Sequence, residues 1–407
     1  MSDRAVALVL AGVVLVSRLL FASHTLWAWD SVLYARALEN GFHVGTDLAD
    51  QRPHPPGYIF YVAAASALRL LTRDSNAALV TVSIFASALT AAAVYLLCRR
   101  YADRALAIVV ALGAASAPLV WTYSEVAMPY ALLGLLSVVL AVALRDARSR
   151  PWPAALIASA GLGLAAGFRQ DILLLLGPLW LWMLLARSWR ERVFCVVAIG
   201  IACLLWFVPS AVLSGGAAYL ASLGGQATRV SELSPAGGGD ALLRNTLLTV
   251  YALWWGLLGF ALLLVAAIIA ALTARRRLTG DALFFALWLI PAALVYVTIH
   301  IGDPGYLMSM LPGLYVAVAA LLAPLARRAP RAVVTVAALL VVLNVAVFAV
   351  ADTPFSQRAI VRHDATLDAR LAFVRATFAP ASVVILAGPE YLTARYYLPE
   401  YRVLFYG

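Results

Sequence analysis

Long apolar runs recur through this chain at residues 5–23, 77–98, 105–122, 128–144, 153–168, 171–186, 192–213, 246–273, 282–301, 305–326 and 331–350. About 20 such residues cross the hydrocarbon core of a bilayer as a helix, the form in which each backbone N–H and C=O is bonded inside its own segment. Eleven runs therefore predict an all-α polytopic membrane protein. With 64% hydrophobic and only 12% charged residues, the composition excludes a soluble globular domain.

The thirty basic residues are all Arg, and they fall in short clusters between the apolar runs. A net charge of +10 spread in this way sets orientation across a bilayer and points to no nucleic-acid partner. The stretch 58–71 is too short for a comfortable span and better suits an interfacial helix. If it does not cross and the N-terminus is cytoplasmic, five clusters face the cytoplasm: Arg99/Arg100/Arg104, Arg145/Arg148/Arg150, Arg187/Arg190/Arg192, Arg275/Arg276/Arg277 and Arg327/Arg328/Arg331. Residues 24–76 then form one extracytoplasmic loop with short helices on the membrane surface. The same choice puts 121–125, 169–171, the glycine-rich loop 214–245 and 300–306 on that face. The loop 214–245 reads either as a segment covering an outer cavity or as a plain linker. Cys98, Cys195 and Cys203 have no ligand-like spacing and read as small buried residues.

Residues 1–351 thus form a transmembrane domain. From 352 to 407 the composition turns soluble, with helical spacing over 366–377, a strand at 382–386, a helix at 390–397 and a strand at 401–405. This small α/β tail is too short for a robust core of its own and is expected to dock on the membrane body.

Candidate chemistry gathers in the outer loops. Asp30 opens a helical pattern just beyond the first span, where an Asp suits either an N-cap or a general base. His54-Pro55-Pro56-Gly57-Tyr58 is a stiff elbow on which His54 and Tyr58 can meet a lipid phosphate. Arg169 in GFRQD is an outer arginine, suited to holding a phosphate or to snorkelling beside Asp171. Arg18 lies within the first span, an ionisable residue at functional depth or a snorkelling one. Glu125 and Asp303 are possible second acids; His300 and Tyr306 accompany Asp303 in HIGDPGYLMSMLP.

In these residues the chain resembles the GT-C superfamily of integral-membrane glycosyltransferases, in the branch of protein O-mannosyltransferases and lipid A aminoarabinose transferases. That branch carries an acid in the first outer loop, an amphipathic helix, and a basic or His residue before Pro-Pro. Here these match Asp30, the helix 31–40 and His54-Pro55-Pro56, with further counterparts in SEVAMPYALLGLL, Arg169, GYLMSMLPGLY and the C-terminal tail. Ser31 and Gly57 stand where the branch usually has Glu and Leu.

The resemblance implies a polyprenyl-phosphate-linked sugar donor, a lipid, glycan or protein acceptor, and an inverting transfer at the extracytoplasmic face of a bacterial-type plasma membrane. Asp30 would be the base, with Arg169, His54, Tyr58, Arg18 and Tyr306 on the donor phosphate. No cofactor is implied with certainty. The branch includes metal-dependent members, and Asp30 with Glu125 would hold a divalent ion through water. Two other classes fit many spans and embedded charges, a polyprenyl-lipid flippase and a non-catalytic lipid-binding assembly subunit.

Overall fold

A computed structural model of the chain describes residues 1–45, 53–273 and 281–406. Its helices run α1 Asp3–Leu19, α2 Trp29–Asn40, α3 Ile59–Thr72, α4 Ser75–Cys98, α5 Arg104–Ser116, α6 Pro118–Tyr123, α7 Tyr130–Ala147, α8 Trp152–Ala165 and α9 Asp171–Leu185. They continue with α10 Trp189–Leu213, α11 Ala217–Glu232, α12 Ala241–Leu257, α13 Gly259–Thr273, α14 Ala282–Thr298, α15 Leu311–Arg328 and α16 Pro330–Val350. The tail holds α17 Gln357–Thr377, β1 Val384–Ala387, α18 Tyr391–Tyr397 and β2 Arg402–Phe405.

All eleven apolar runs are helical, but three are broken where a single span is expected. Among the described residues, five helices are long and apolar enough to cross a membrane alone, six if α12 and α13 count as one span bent by 98°. Shorter apolar helices accompany them. The run 105–122 divides at Pro118, which has no N–H to continue a helix and pushes Ala117 to an extended ψ of 131°. The run 246–273 divides at Leu258, whose φ of +46° no helix accepts. The run 305–326 begins as a 3-10 segment, Pro304–Ser309, before α15.

The bundle is organised around α4. Asp74 caps it by accepting from Ala77 N at 2.7 Å, and 67% of its apolar window is buried, against 17% for α10 and 22% for α16. The first is a core helix; the other two turn most of their surface to lipid. By contrast α3, with 14 residues, is about 21 Å long, short of a hydrocarbon core of about 30 Å.

Arginine clusters gather at one end. There Asp3 accepts from Tyr95 at 2.7 Å and from Arg99 and Arg104 at 3.2 Å, Asp146 pairs with Arg100 at 2.5 Å, and Asp281 pairs with Arg145 at 2.7 Å. Arg187 Nη2 donates to the Ala147 and Arg150 carbonyls of the same end. The cluster Arg275/Arg276/Arg277 lies outside the described residues.

At the other end, α2 is enclosed by α3 and α4 and by the tail, so Val32, Leu33, Tyr34, Ala35, Ala37 and Leu38 are all buried. The tail docks as its size requires. Leu371, Tyr391, Leu392 and Leu398 join the apolar cluster of α2, and β1 pairs in parallel with β2, Val384 opposite Arg402. Asp364 of α17 accepts from Ser23 Oγ at 2.8 Å, His24 N at 3.0 Å and Thr25 Oγ1 at 2.5 Å, tying the tail to the segment that leads into α2.

Candidate active site

The end of the bundle opposite the arginine clusters holds a cavity of about 520 Å³. Asp30, His54, Tyr130, Asp303 and Tyr306 line it, and one wall comes from α11 through Gln226 and Arg229. Its lining is drawn from six separate stretches of sequence.

Asp30 stands in the first turn of α2, yet it is not the cap. Ala28 occupies that position and Ser31 Oγ accepts from Ala28 N at 3.2 Å while donating to Ala127 O at 2.8 Å. Two residues past the cap position, the Asp30 carboxylate faces the cavity, about a third exposed, with His54 Nε2 at 3.8 Å from its Oδ1.

The His54 elbow is fixed by close packing. Gly57 has φ +95°, and a Cβ there would meet Val44 Cγ2 at 2.3 Å and Phe42 Cζ at 2.8 Å, so only glycine fits. This accounts for its place where the branch usually has Leu. Tyr58 follows at φ +50° and precedes α3, whose Phe60 N bonds Gly167 O at 3.0 Å. That bond brings the elbow to the α8–α9 junction and Arg169.

Arg169 is buried and lies behind the cavity wall. Its guanidinium is 4.5 Å from the Tyr306 ring centroid, 5.1 Å from Tyr130 and 5.4 Å from Tyr58, and it pairs with Asp171 at 2.9 Å. The pairing with Asp171 is therefore formed, and the tyrosine cage is added to it. Tyr306 is set by the 3-10 turn that Asp303 caps, accepting from Gly305 N at 2.7 Å and from Tyr123 OH. Burial raises the Asp303 carboxyl, although the bonds from Tyr123 and Gly305 oppose the shift. Burial also lowers His300, whose Nδ1 is enclosed with no hydrogen-bond partner, and Arg244 adds to that effect.

Arg18 and Glu125 lie elsewhere, near one another. Arg18 is 1% exposed, stacks 4.2 Å above Trp121, and donates to Ser17 Oγ and to Ala115 O. Glu125 is fully buried and accepts from Trp121 Nε1 at 2.6 Å. Neither lines the Asp30 cavity, so the two-acid ion site formed by Asp30 and Glu125 is not assembled. No cluster of three or more His, Cys, Asp or Glu suited to a metal occurs among the described residues.

Sequence reasoning passed over Tyr130, Gln226 and Arg229. Arg229 carried the signal that singled out Arg169, a lone arginine on the outer side of the span pattern. Within loop 214–245, α11 forms one wall of the cavity and runs as a helix through Gly224 and Gly225. Tyr219 OH of that helix donates to Pro56 O at 3.3 Å, and Val44 N to Ser214 Oγ at 2.9 Å, fastening the helix to the His54 elbow.

Residues 53–213, from the elbow to the end of α10, match the family model of dolichyl-phosphate-mannose-protein mannosyltransferases. Together with the fold, this match bears out the resemblance to the GT-C superfamily of integral-membrane glycosyltransferases.

Among solved structures, ArnT from Cupriavidus metallidurans bound to undecaprenyl phosphate is similar over 100% of this chain and 85% of that one, with TM-score 0.60 and 14% identity. Its apo form is similar over 99% and 85%, with TM-score 0.63 and 15% identity. The Archaeoglobus fulgidus oligosaccharyltransferase in complex with Zn and sulfate is similar over 99% of this chain and 62% of that one, with TM-score 0.56 and 13% identity. At such identities the shared property is the fold. No curated protein sequence matches the chain significantly.

Proposed function

We propose that this protein transfers a sugar from a polyprenyl-phosphate donor to an acceptor hydroxyl at the extracytoplasmic face, with inversion at the sugar carbon. The observation that carries this reading is the Asp30 carboxylate in a cavity it shares with His54, Tyr306 and Arg229, backed by Arg169. The ArnT structure with undecaprenyl phosphate supports the donor class.

In the proposed reaction Asp30 takes the proton of the acceptor hydroxyl as that oxygen bonds to the anomeric carbon. The bond from that carbon to the lipid phosphate oxygen breaks, and the phosphate leaves with the electron pair. His54, the Tyr306 hydroxyl and Arg229 hold the departing phosphate. Arg169 stabilises its growing charge from behind Tyr130 and Tyr306, in a site where burial strengthens the field. Tyr58 keeps Arg169 in place, and Asp303 holds the turn that presents Tyr306.

The test is Asp30→Asn in purified protein supplied with a polyprenyl-phosphate sugar and an envelope extract as acceptor. Loss of transfer with donor binding retained is the expected outcome; wild-type turnover would overturn the assignment. Orientation is tested by labelling intact cells, where Gly238→Cys should react with an impermeant thiol reagent and Ser149→Cys should not.

A further inference from the structure

The 3-10 turn that presents Tyr306 is joined to α14 by a short segment whose polar atoms have no part in the reaction proposed above. His300 follows the end of α14, its N bonded to Val295 O at 3.0 Å. Its half-buried ring lines the Asp30 cavity, 6.2 Å from the ring of Tyr306. Tyr296 of α14 donates through its hydroxyl to Tyr306 O at 2.8 Å, so helix and turn are held at a fixed spacing.

Between them Gly302 turns a bare face to the cavity. A Cβ on Gly302 would stand 3.0 Å from His300 Nε2 and 3.3 Å from the Tyr306 hydroxyl, the two nearest atoms it would meet. Gly302 is exposed and its φ lies outside the left-handed region, so its backbone places no demand for glycine. What the missing side chain provides is space flanked by two hydrogen-bonding atoms.

The surroundings decide where the protons sit. His300 Nδ1 is enclosed and has no acceptor beside it. Burial, with Arg244 adding to it, lowers the pKa of His300, so at neutral pH the ring carries one N–H, and that N–H belongs on Nε2. Nε2 therefore donates into the cavity. Tyr306 gives its O–H to the departing phosphate in the proposed reaction, and its oxygen keeps lone pairs to accept with. A donor and an acceptor on either side of one gap match a hydroxyl, which accepts and donates at once.

We propose that His300 Nε2 and the Tyr306 oxygen together hold a hydroxyl of the sugar being transferred, and that the open face of Gly302 makes the room for it. This assignment rests on the reading of the Asp30 cavity as the site of a lipid-phosphate sugar. In that reading Tyr306 holds the phosphate, and the group bonded directly to the phosphate is the sugar ring, so a ring hydroxyl comes within reach of the same tyrosine. A site built to bond a hydroxyl discriminates against a ligand that leaves its polar groups unpaired.

The purified full-length protein is offered undecaprenyl phosphate, bare or carrying mannose, glucose or arabinose, and native mass spectrometry reads the ratio of sugar-bearing to bare lipid retained. Wild type should prefer at least one sugar-bearing lipid. Gly302→Ala, which fills the gap with a methyl group, should lower that preference about tenfold, with binding of the bare lipid and the thermal transition unchanged. His300→Phe should lower it about three- to tenfold, the effect of one hydrogen bond, and His300→Gln, which keeps an N–H, should lose less.

Wild-type preference retained in Gly302→Ala or in His300→Phe overturns the proposal. So does binding of the bare lipid that weakens in step with that of the sugar-bearing ones, since the gap would then belong to the phosphate, and so does a wild type that binds the lipids without preference. Each of these results leaves the lipid-phosphate site standing. Failure of wild type to retain any of these lipids refutes that site itself, and the sugar contact with it.

Discussion

Asp30 and Glu125 are both acids at the same end of the bundle, and their surroundings differ in every respect that governs chemistry. Asp30 is about a third exposed, faces a 520 Å³ cavity and has a histidine 3.8 Å away. Glu125 is sealed, with one oxygen bonded to Trp121, the other unpartnered, and Arg18 as its nearby charge. Burial raises the Glu125 carboxyl, an effect Arg18 and Trp121 offset only in part. A carboxylate open to a cavity is available for the proton transfer proposed for Asp30. One enclosed by packing serves the assembly, since its removal leaves the buried Trp121 N–H without an acceptor.

The largest expected effect is that of Asp30→Asn, a loss of transfer of about 10²- to 10⁴-fold with the thermal transition in detergent unchanged. Glu125→Ala should reverse that pattern. It strips the buried Trp121 N–H of its acceptor and leaves a void beside Arg18, and is expected to cost about 1–3 kcal/mol of stability, read as a lowered melting temperature. If Glu125→Ala melted like wild type but lost transfer, the two acids would have to exchange roles.

Arg169→Ala sharpens the contrast between a caged and a sealed cation. Transfer should fall about a hundredfold, and unchanged kinetics would reduce Arg169 to the structural partner of Asp171.

The smallest effect concerns the tail. Asp364→Ala removes an acceptor shared by the Ser23 and Thr25 hydroxyls and the His24 N–H, a cost of about 1–2 kcal/mol, seen as faster proteolysis of the tail.

The same clasp is pH-dependent. Burial works to raise the Asp364 carboxyl, but the bonds from His363, Thr25, His24 and Ser23 outweigh it and hold it at about 2. Its contribution is complete above its ordinary value of 3.8 and is lost as pH falls through about 2. His24 is raised above its ordinary 6.5, chiefly by its bond to Asp368, so its contribution is complete below 6.5 and fades as pH rises through the folded value. Proteolysis of the tail should therefore be slowest between about pH 4 and 6.5.

Much of the site was legible because its chemistry sits in short, polar, turn-rich stretches that interrupt an apolar pattern. Asp30, His54, Asp303 and Tyr306 stand out for that reason, and the cavity brings all four together. Arg18 and Glu125 stand out equally in one dimension, but their helices pack them against Trp121 and away from Asp30. Tyr130 was hidden at the start of an apolar run, where a tyrosine reads as core. Arg229 was hidden in a glycine-rich segment whose helix forms above the cavity.

Hydrophobic run length and arginine spacing alone established a membrane bundle with its polar loops collected at one end, because the cost of an unbonded backbone in lipid leaves a chain of this composition no other form. Which side chains share a cavity, and which acid is sealed from it, was decided by tertiary contacts. Two bonds to Asp303 place Tyr306, the bonds of Ser31 to Ala28 N and Ala127 O seat the turn that carries Asp30, and the left-handed backbone at Gly57, packed against Val44 and Phe42, sets the elbow. Each of these links residues whose proximity depends on how helices pack, and packing geometry is not encoded in local periodicity.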